Sequence, residues 1–440
     1  MNKNIAIGRA VLQGARLGLL AAAGLVLGVL PSCRQEPDAI FDKSSSERVD
    51  ALTTELQQIL TASSTGWVLE YYPHSQLLYG GYPVTMTFGA KNEVLMASDA
   101  PVKGHSTAEV KSNYHLKSDK MVSLSFDTYS SSLHLFSDPD KSYGAGEGKS
   151  FEGDYEFSFV RSISPDTLYL KGRKTGVVMR MFRPKVAAKE YLAKVLDLKS
   201  RAYTSQSMYQ QHLYGLTGKL GGKSVVAYLD NEGYNILTIE DAETGKKTEV
   251  PYVYTPDGLQ FHKEYNGVST LLWQDADKSY NTPAGEKLTA RTDPDYAGFA
   301  KYLGEYELKC SGWANGRTVT FTQAARNQYR ITGMAPNLTI YATYDAAKDR
   351  FEIKTQKLEG SGGAYLCVWD SKVGNLSWGN GYGMYSHRNE SYTAGDQYTL
   401  VDNGLWGAFT SYSFILWKPG GGEYKSFGDS RFTEPVFTKK

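Results

Sequence analysis

The sequence predicts a mainly β protein made of tandem antiparallel modules. Each module is a β-meander or barrel, with one short amphipathic helix ahead of each of the first two. Three observations lead there. Aromatic and β-branched runs recur along the chain, broken by Gly, Asn and Asp, in a composition with 44 Gly and 32 Tyr that suits pleated surfaces joined by tight turns. Two stretches carry apolar residues at spacings of three and four, the helical period. Finally, two pairs of segments nearly repeat at a separation of roughly 140 residues, the length of a whole domain rather than of a solenoid unit.

The chain opens with a basic stretch holding Lys3, Arg9 and Arg16 and no acid, followed by an uncharged apolar run over residues 17–30. That is the layout of a secretory leader, and the run is short for a membrane span of about 20 residues. It ends in Leu30-Pro31-Ser32-Cys33. Leucine three places before a cysteine, with a small residue between, resembles a bacterial lipobox. The resemblance implies cleavage before Cys33 and lipidation of that cysteine. The other reading is an ordinary leader that ends near a cysteine. Residues 1–32 are therefore read as a lipoprotein signal peptide. The polar stretch 33–43, with Glu36, Asp38, Asp42 and Pro37, is read as a tether. Acyl chains on Cys33 would hold the protein to a membrane. Acids just after the cysteine resemble the export signals of surface-exposed lipoproteins in Bacteroidetes.

Residues 44–185 are read as the first β module. A helix over 44–63 places Val49, Leu52, Leu56, Ile59 and Leu60 on one face. Ser before Glu47 gives a capping box, and Gly66 lies just past the helix end. Strands follow at 66–73, 84–88, 93–98, 121–127, 132–137 and 154–160. A hairpin joins 166–172 to 176–183 through Arg173-Lys174-Thr175. The second module, 186–292, opens with a helix over 186–200 whose apolar side is Tyr191, Leu192, Val195, Leu196 and Leu198. The third, 293–440, is a run of short strands ending near 411–418. Such spacing suits a barrel or sandwich, with ligand-carrying barrels of the lipocalin type as one form.

The repeats join the first two modules. GGYPVTMTFGAKNEVLMASD (80–99) matches the layout of GGKSVVAYLDNEGYNILTIED (221–241). LHLFSDPDKSYGAGE (133–147) matches LLWQDADKSYNTPAGE (271–286), so the two D-x-D-K-S-Y segments are expected at equivalent turns after equivalent strands.

Chemistry is sparse. The net charge of +1 turns slightly negative once the leader's three cations are removed, which leaves no footprint for nucleic acid. No H-E-x-x-H and no G-x-S-x-G occur. Gly148-Lys149-Ser150 and Gly222-Lys223-Ser224 resemble phosphate-loop tails, but Tyr143 and Thr217 occupy the upstream glycine position, so both read as turns. Asp275, Asp277, Ser279 and Glu286 fall at positions one, three, five and twelve of a calcium loop. Tyr280 stands where that loop needs Gly, and an Asx-turn is the competing reading. No metal or other cofactor is otherwise implied. With Cys33 lipidated, Cys310 and Cys367 remain, either as a disulfide or as two buried thiols. The aromatic, Gly/Asn-rich stretch 374–392 offers Trp378, Tyr382 and Tyr385 as ligand-binding candidates on an irregular loop, or as rings packed beneath it. Trp369, Trp406 and Trp417 read as strand core. The pair Asp154 and Glu156 offers carboxylates for glycoside chemistry, or a solvated strand face.

SERVDALTTELQQIL, GWVLEYYP, GGYPVTMTF, SFDTYSSSLHLFSDPD, GDYEFSF and DTLYLKG together resemble lipoproteins grouped as domain-of-unknown-function family 4302. The resemblance covers most of the mature chain and is strongest over residues 41–184. It implies a Bacteroidetes lipoprotein of the kind encoded beside nutrient-uptake components of the SusC/SusD type. The family brings no catalytic residues to carry over. The expected role is an accessory binding component for glycan or peptide, lipid-anchored in the outer membrane at the cell surface and associated with an uptake complex, without catalysis. The alternatives are an extracytoplasmic hydrolase with a dispersed site, or a structural subunit of an outer-membrane complex.

Overall fold

A computed structural model describes residues 44–102, 104–118, 121–140, 148–230, 232–425 and 429–440. The leader, Cys33 and the tether lie outside the described residues. Helix α1 spans Ser45–Thr61. Its capping box forms as the sequence suggests: the Ser44 amide donates to Glu47 Oε2 at 2.8 Å, and the Glu47 amide donates to Ser44 Oγ at 3.3 Å.

The N-terminal sheet has nine antiparallel strands between Trp67 and Phe182. Its first strand, Trp67–Tyr71, pairs with Tyr82–Phe88 on one side and with the last strand, Val178–Phe182, on the other. The two strands at the ends of the sheet, Val110–Asn113 and His115–Ser118, are consecutive in the chain with Tyr114 alone between them. One residue thus carries the chain from one sheet edge to the other, and the sheet curls into a nearly closed barrel. Buried Tyr114 accepts a hydrogen bond from Gln57 of α1 at 2.6 Å. Leu56 and Leu60 of the same helix are buried in the barrel core. Trp67 Nε1 donates to the Leu60 carbonyl at 3.0 Å. The void beside them is about 10 Å³, apolar and too tight for an ordered water.

The middle barrel is closed by eight strands from Leu213–Leu220 to Lys287–Thr292, the first pairing with the last. Helices α2 (Ala188–Arg201) and α3 (Ser205–Gln210) precede it. Alternation sets its inner face: in Lys223–Leu229, Val225, Ala227 and Leu229 are buried while the residues between are partly exposed. Gly221 and Gly222, at φ +59° and +79°, form the two-residue turn before that strand. Leu216, Ala227, Ile239, Leu259, Leu271, Tyr280 and Leu288 have no exposed surface and fill the interior. The lipocalin-type expectation therefore holds for the strand pattern, but these barrels carry side chains where a ligand-carrying barrel keeps a cavity.

The C-terminal barrel is closed by eight strands, from Gly304–Lys309 to Val436–Lys439. A short helix, α4 (Tyr296–Ala300), precedes this barrel too. Phe299 from α4 stacks on Tyr329 at 4.3 Å, amid a core of Tyr302, Tyr306, Phe321, Phe351 and Phe437. Two excursions leave the barrel, one after Arg350–Lys354 and one after Gln397–Asp402. They meet as a second, six-stranded sheet in which Tyr365–Asp370 pairs with Ser413–Lys418.

One matched pair of segments marks equivalent positions. Tyr82–Phe88 and Lys223–Leu229 are the second strands of their barrels, and Glu93–Ser98 and Ile236–Asp241 the third. The D-x-D-K-S-Y pair does not. Asp275 follows the strand Val268–Gln274, whereas Asp138 follows a 3-10 turn, His134–Ser137, where the sequence reading expected a strand. Local bonds override the apolar pattern there. The Leu133 and His134 amides both donate to the Ser130 carbonyl, at 3.2 and 2.8 Å.

Candidate functional site

The stretch 374–392 is more regular than its composition suggests. It contains the strands Asn375–Ser377 and Gly383–Arg388 with a tight turn between them. Trp378, 45% exposed, begins that turn, and its ring is 6.5 Å from Tyr365. Tyr382 packs directly on Gly379, where an added Cβ would meet the ring at 2.5 Å. Its other neighbour is Trp406, at 6.2 Å, which contacts Phe409 at 5.3 Å. Tyr385 is on the strand, with the Arg350 guanidinium 3.6 Å from its ring centre. The three predicted rings therefore have three different neighbourhoods and do not form one shelf.

Trp378, Leu405 (61% exposed) and Phe409 (38%) are each open to solvent in this region, as are Val373 and Val401. Two loops carry Trp378, Leu405 and Phe409, and hydrogen bonds pin them. Asn403 Nδ2 donates to the Gly381 carbonyl at 2.9 Å and to Glu352 Oε1 at 2.8 Å. The Thr410 amide donates to Asp370 Oδ2 at 3.2 Å. Sequence reasoning passed over Leu405 and Phe409 and placed Trp406 in a strand. The signal was present in LWGAFTSY, an aromatic run spaced by Gly like the one at 374–392.

The acids proposed for calcium do not converge. Asp275 accepts from Trp273 Nε1 at 3.0 Å and pairs with Lys278 and Arg201. Asp277 accepts from Ser279 Oγ at 2.6 Å and pairs with Lys287, whose hydrogen bond holds its carboxyl below the ordinary range. Glu286 accepts the Gly221 and Gly222 amides, each at 2.7 Å, and so closes the hairpin turn. Cations and amides occupy the lone pairs a metal would need, and among the described residues no three metal-ligating side chains gather.

The cysteines follow the buried-thiol reading. Cys310 and Cys367 are both free and buried. Cys310 directly follows the first strand of the C-terminal barrel, while Cys367 is in the second sheet opposite Ile415. Burial pushes both thiols up to about 12.

The Asp154 and Glu156 pair also divides. Buried Asp154 accepts the Lys174 amide at 2.6 Å and the Thr175 amide at 3.1 Å, capping the turn at 173–175. Glu156 pairs with Lys117 at 3.0 Å, and that bond holds its carboxyl down.

A domain of unknown function, DUF4302, matches residues 37–269, more than half of the chain. The chain belongs to the DUF4302 family. A second domain of unknown function, DUF4987, matches residues 281–417. No curated protein matches the chain. The DUF4302 match runs through the N-terminal barrel and ends inside the strand Val268–Gln274 of the middle one, so family limits and barrel limits differ.

This DUF4302 chain has cavities where its barrels meet. One of about 370 Å³ lies where the middle and C-terminal barrels meet, lined by Met208, Tyr209, Leu213, Tyr214, Leu229 and Arg326. Arg326 lies 3.5 Å from the Tyr214 ring centre and is already paired, to Asp293 at 2.8 and 2.9 Å and to Asp295 at 2.5 Å. A second, of about 210 Å³, lies between the N-terminal and middle barrels beside Tyr72, His262 and the Glu70–Arg180 pair. That pair is bidentate, at 2.9 and 2.5 Å. Arg326, Glu70 and Arg180, which line these cavities, are thus each held in an ion pair.

Proposed function

We propose that the protein is a lipoprotein anchored through Cys33, exposed at the cell surface of the outer membrane, and that it serves as an accessory binding component in capture of a glycan or peptide nutrient. No catalytic role is assigned to any residue. The leader pattern and lipobox-like Leu30-Pro31-Ser32-Cys33 support the anchor. The observation that carries the binding role is that Trp378, Leu405 and Phe409 are each exposed on pinned loops of the C-terminal region. Large apolar side chains held in water on ordered loops favour contact with another molecule, and the ordering entropy is already spent.

Two measurements test this. Cells fed a labelled fatty acid should incorporate label into the wild-type chain and not into Cys33→Ala. The purified protein, screened by thermal shift against oligosaccharides and short peptides, should gain melting temperature with one class, since a ligand that binds only the folded state stabilises it by mass action. Trp378→Ala and Phe409→Ala should remove the shift. A flat screen would leave the structural-subunit alternative as the better reading.

A further inference from the structure

Three rings on the N-terminal barrel form a stack that the core does not use. His134 lies between Tyr129 and Tyr155, with ring centres 5.5 and 5.0 Å away and planes inclined by 31° and 24°. Tyr129 is 52% exposed and Tyr155 44%. Neither ring belongs to the hydrophobic cluster that fills the barrel.

The stack is fixed from below and at its edge. The Ser130 amide donates to His134 Nδ1 at 3.0 Å, and His134 Nε2 lies 2.9 Å from the Phe126 carbonyl. One ring nitrogen therefore accepts and the other donates, which defines a single neutral tautomer. Burial pushes the imidazole below its ordinary value, so it remains neutral at physiological pH. Tyr129 is tied by its hydroxyl to Asp138 Oδ2 at 3.0 Å. The Phe126 amide donates to the Tyr155 carbonyl at 3.0 Å, which fixes the backbone of the third ring. Two half-exposed tyrosines are thus ordered on a flat, uncharged imidazole.

The charges nearby narrow the ligand. Asp138 holds the Tyr129 hydroxyl, and Asp127 is close enough to act electrostatically on His134. The neighbouring cation, Lys117, is committed to Glu156 at 3.0 Å and to Asp127 at 3.5 Å. Among the described residues these charges are carboxylates and a lysine paired to them, a setting that disfavours anionic ligands. Asp138 Oδ1 also accepts the Asp140 amide at 3.0 Å and Asp127 Oδ1 the Ser125 hydroxyl at 2.6 Å, so a ligand hydroxyl would use their remaining lone pairs. Flat apolar faces beside such acceptors match a pyranose ring, which offers C–H groups on its face and hydroxyls at its edge.

We infer that Tyr129, His134 and Tyr155 form a stacking platform for neutral saccharide units, at a site separate from the loops of the C-terminal region. The inference rests on the binding role proposed above and names a ligand class for it.

The test is native electrophoresis of the full-length protein in gels containing neutral polysaccharides (starch, β-glucan, mannan, galactan) or anionic ones (polygalacturonate, alginate). At least one neutral polymer should retard the wild type, and the anionic polymers should not. Tyr129→Ala and Tyr155→Ala should each weaken retardation about tenfold, the upper range for one aromatic contact, with melting temperature held. Ile163→Ala, at an exposed position of the same barrel that belongs to neither site, should leave it unchanged. No retardation by any neutral polymer, equal retardation by anionic ones, or wild-type mobility in both tyrosine variants would overturn the inference. Retardation lost only in Trp378→Ala would also overturn it while leaving the broader binding role intact. A melting-temperature shift with peptides and none with saccharides would have the same consequence.

Discussion

Single side chains in this protein mostly secure turns and joints. Asp241 is an instance. Its carboxylate accepts from Lys223 Nζ at 3.0 Å and from the Thr244 and Glu243 amides at 3.0 and 3.1 Å, which closes the turn after its strand. The lysine bond is the largest cause holding it from its ordinary 3.8 down to about 2. The folded-state value is the lower one, so its stabilisation is complete above the unfolded value near 3.8 and drains away as pH falls through about 2. Melting curves from pH 7 to 2 should show Asp241→Asn less stable than wild type at neutral pH, with the gap closing between about pH 4 and 2. A gap that stays constant across that range would show the carboxylate charge to be irrelevant. Asp127, Glu156 and Asp349 are displaced in the same direction, by Ser125, Lys117 and Lys301 respectively.

At the scale of elements, helices work as plugs. Helix α1 presents Leu56 and Leu60 to the N-terminal barrel, and partly buried Val49, Leu52 and Ile59 complete its apolar face. Leu60 is 3% exposed and borders a void that is already too small for water. Leu60→Ala would enlarge that void, and the surrounding strands cannot collapse freely because they are hydrogen-bonded on both sides. The expected cost is about 3 kcal/mol, read from the denaturant midpoint. A cost below about 1 kcal/mol would mean that the helix is peripheral to barrel stability. In the C-terminal barrel α4 does the same with one ring, Phe299, because its five residues leave room for little else.

Across the whole molecule, the N-terminal and middle barrels are joined by backbone as well as by side chains. The Gly81 amide donates to the Tyr252 carbonyl at 2.9 Å, and buried Asn235 donates from Nδ2 to the Gly81 carbonyl at 2.6 Å. Gly80 has φ +69°, and a Cβ there would meet the Asn235 carbonyl oxygen at 2.1 Å. Only glycine permits both the conformation and the approach. Lys199 of α2 adds an ion pair to Asp99 at 2.5 Å across the same joint. Gly80→Ala should therefore loosen the joint and leave each barrel folded. Calorimetry should resolve one shared transition of the two barrels into two, and an unchanged single transition would refute that coupling.

The sequence by itself determined the β character, the first two helices with their apolar faces and the Ser44 capping box. It also matched the strand–turn–strand layout of 80–99 to that of 221–241. Those features depend on residues within a turn or two of one another, where period and propensity act directly. Tertiary structure decided the rest. The segment at 132–137 looks like a strand until the Ser130 carbonyl and the His134 ring close a 3-10 turn. Asp275, Asp277 and Glu286 have calcium spacing along the chain, but Arg201, Lys287 and the Gly221-Gly222 amides reach them from distant strands. Trp378, Tyr382 and Tyr385 are neighbours in sequence yet face Tyr365, Trp406 and Arg350. Tyr129 and Tyr155 lie on separate segments, and each meets the ring of His134. A binding surface is a property of which strands lie side by side, and strand pairing is set by burial across the whole barrel, which local sequence does not encode.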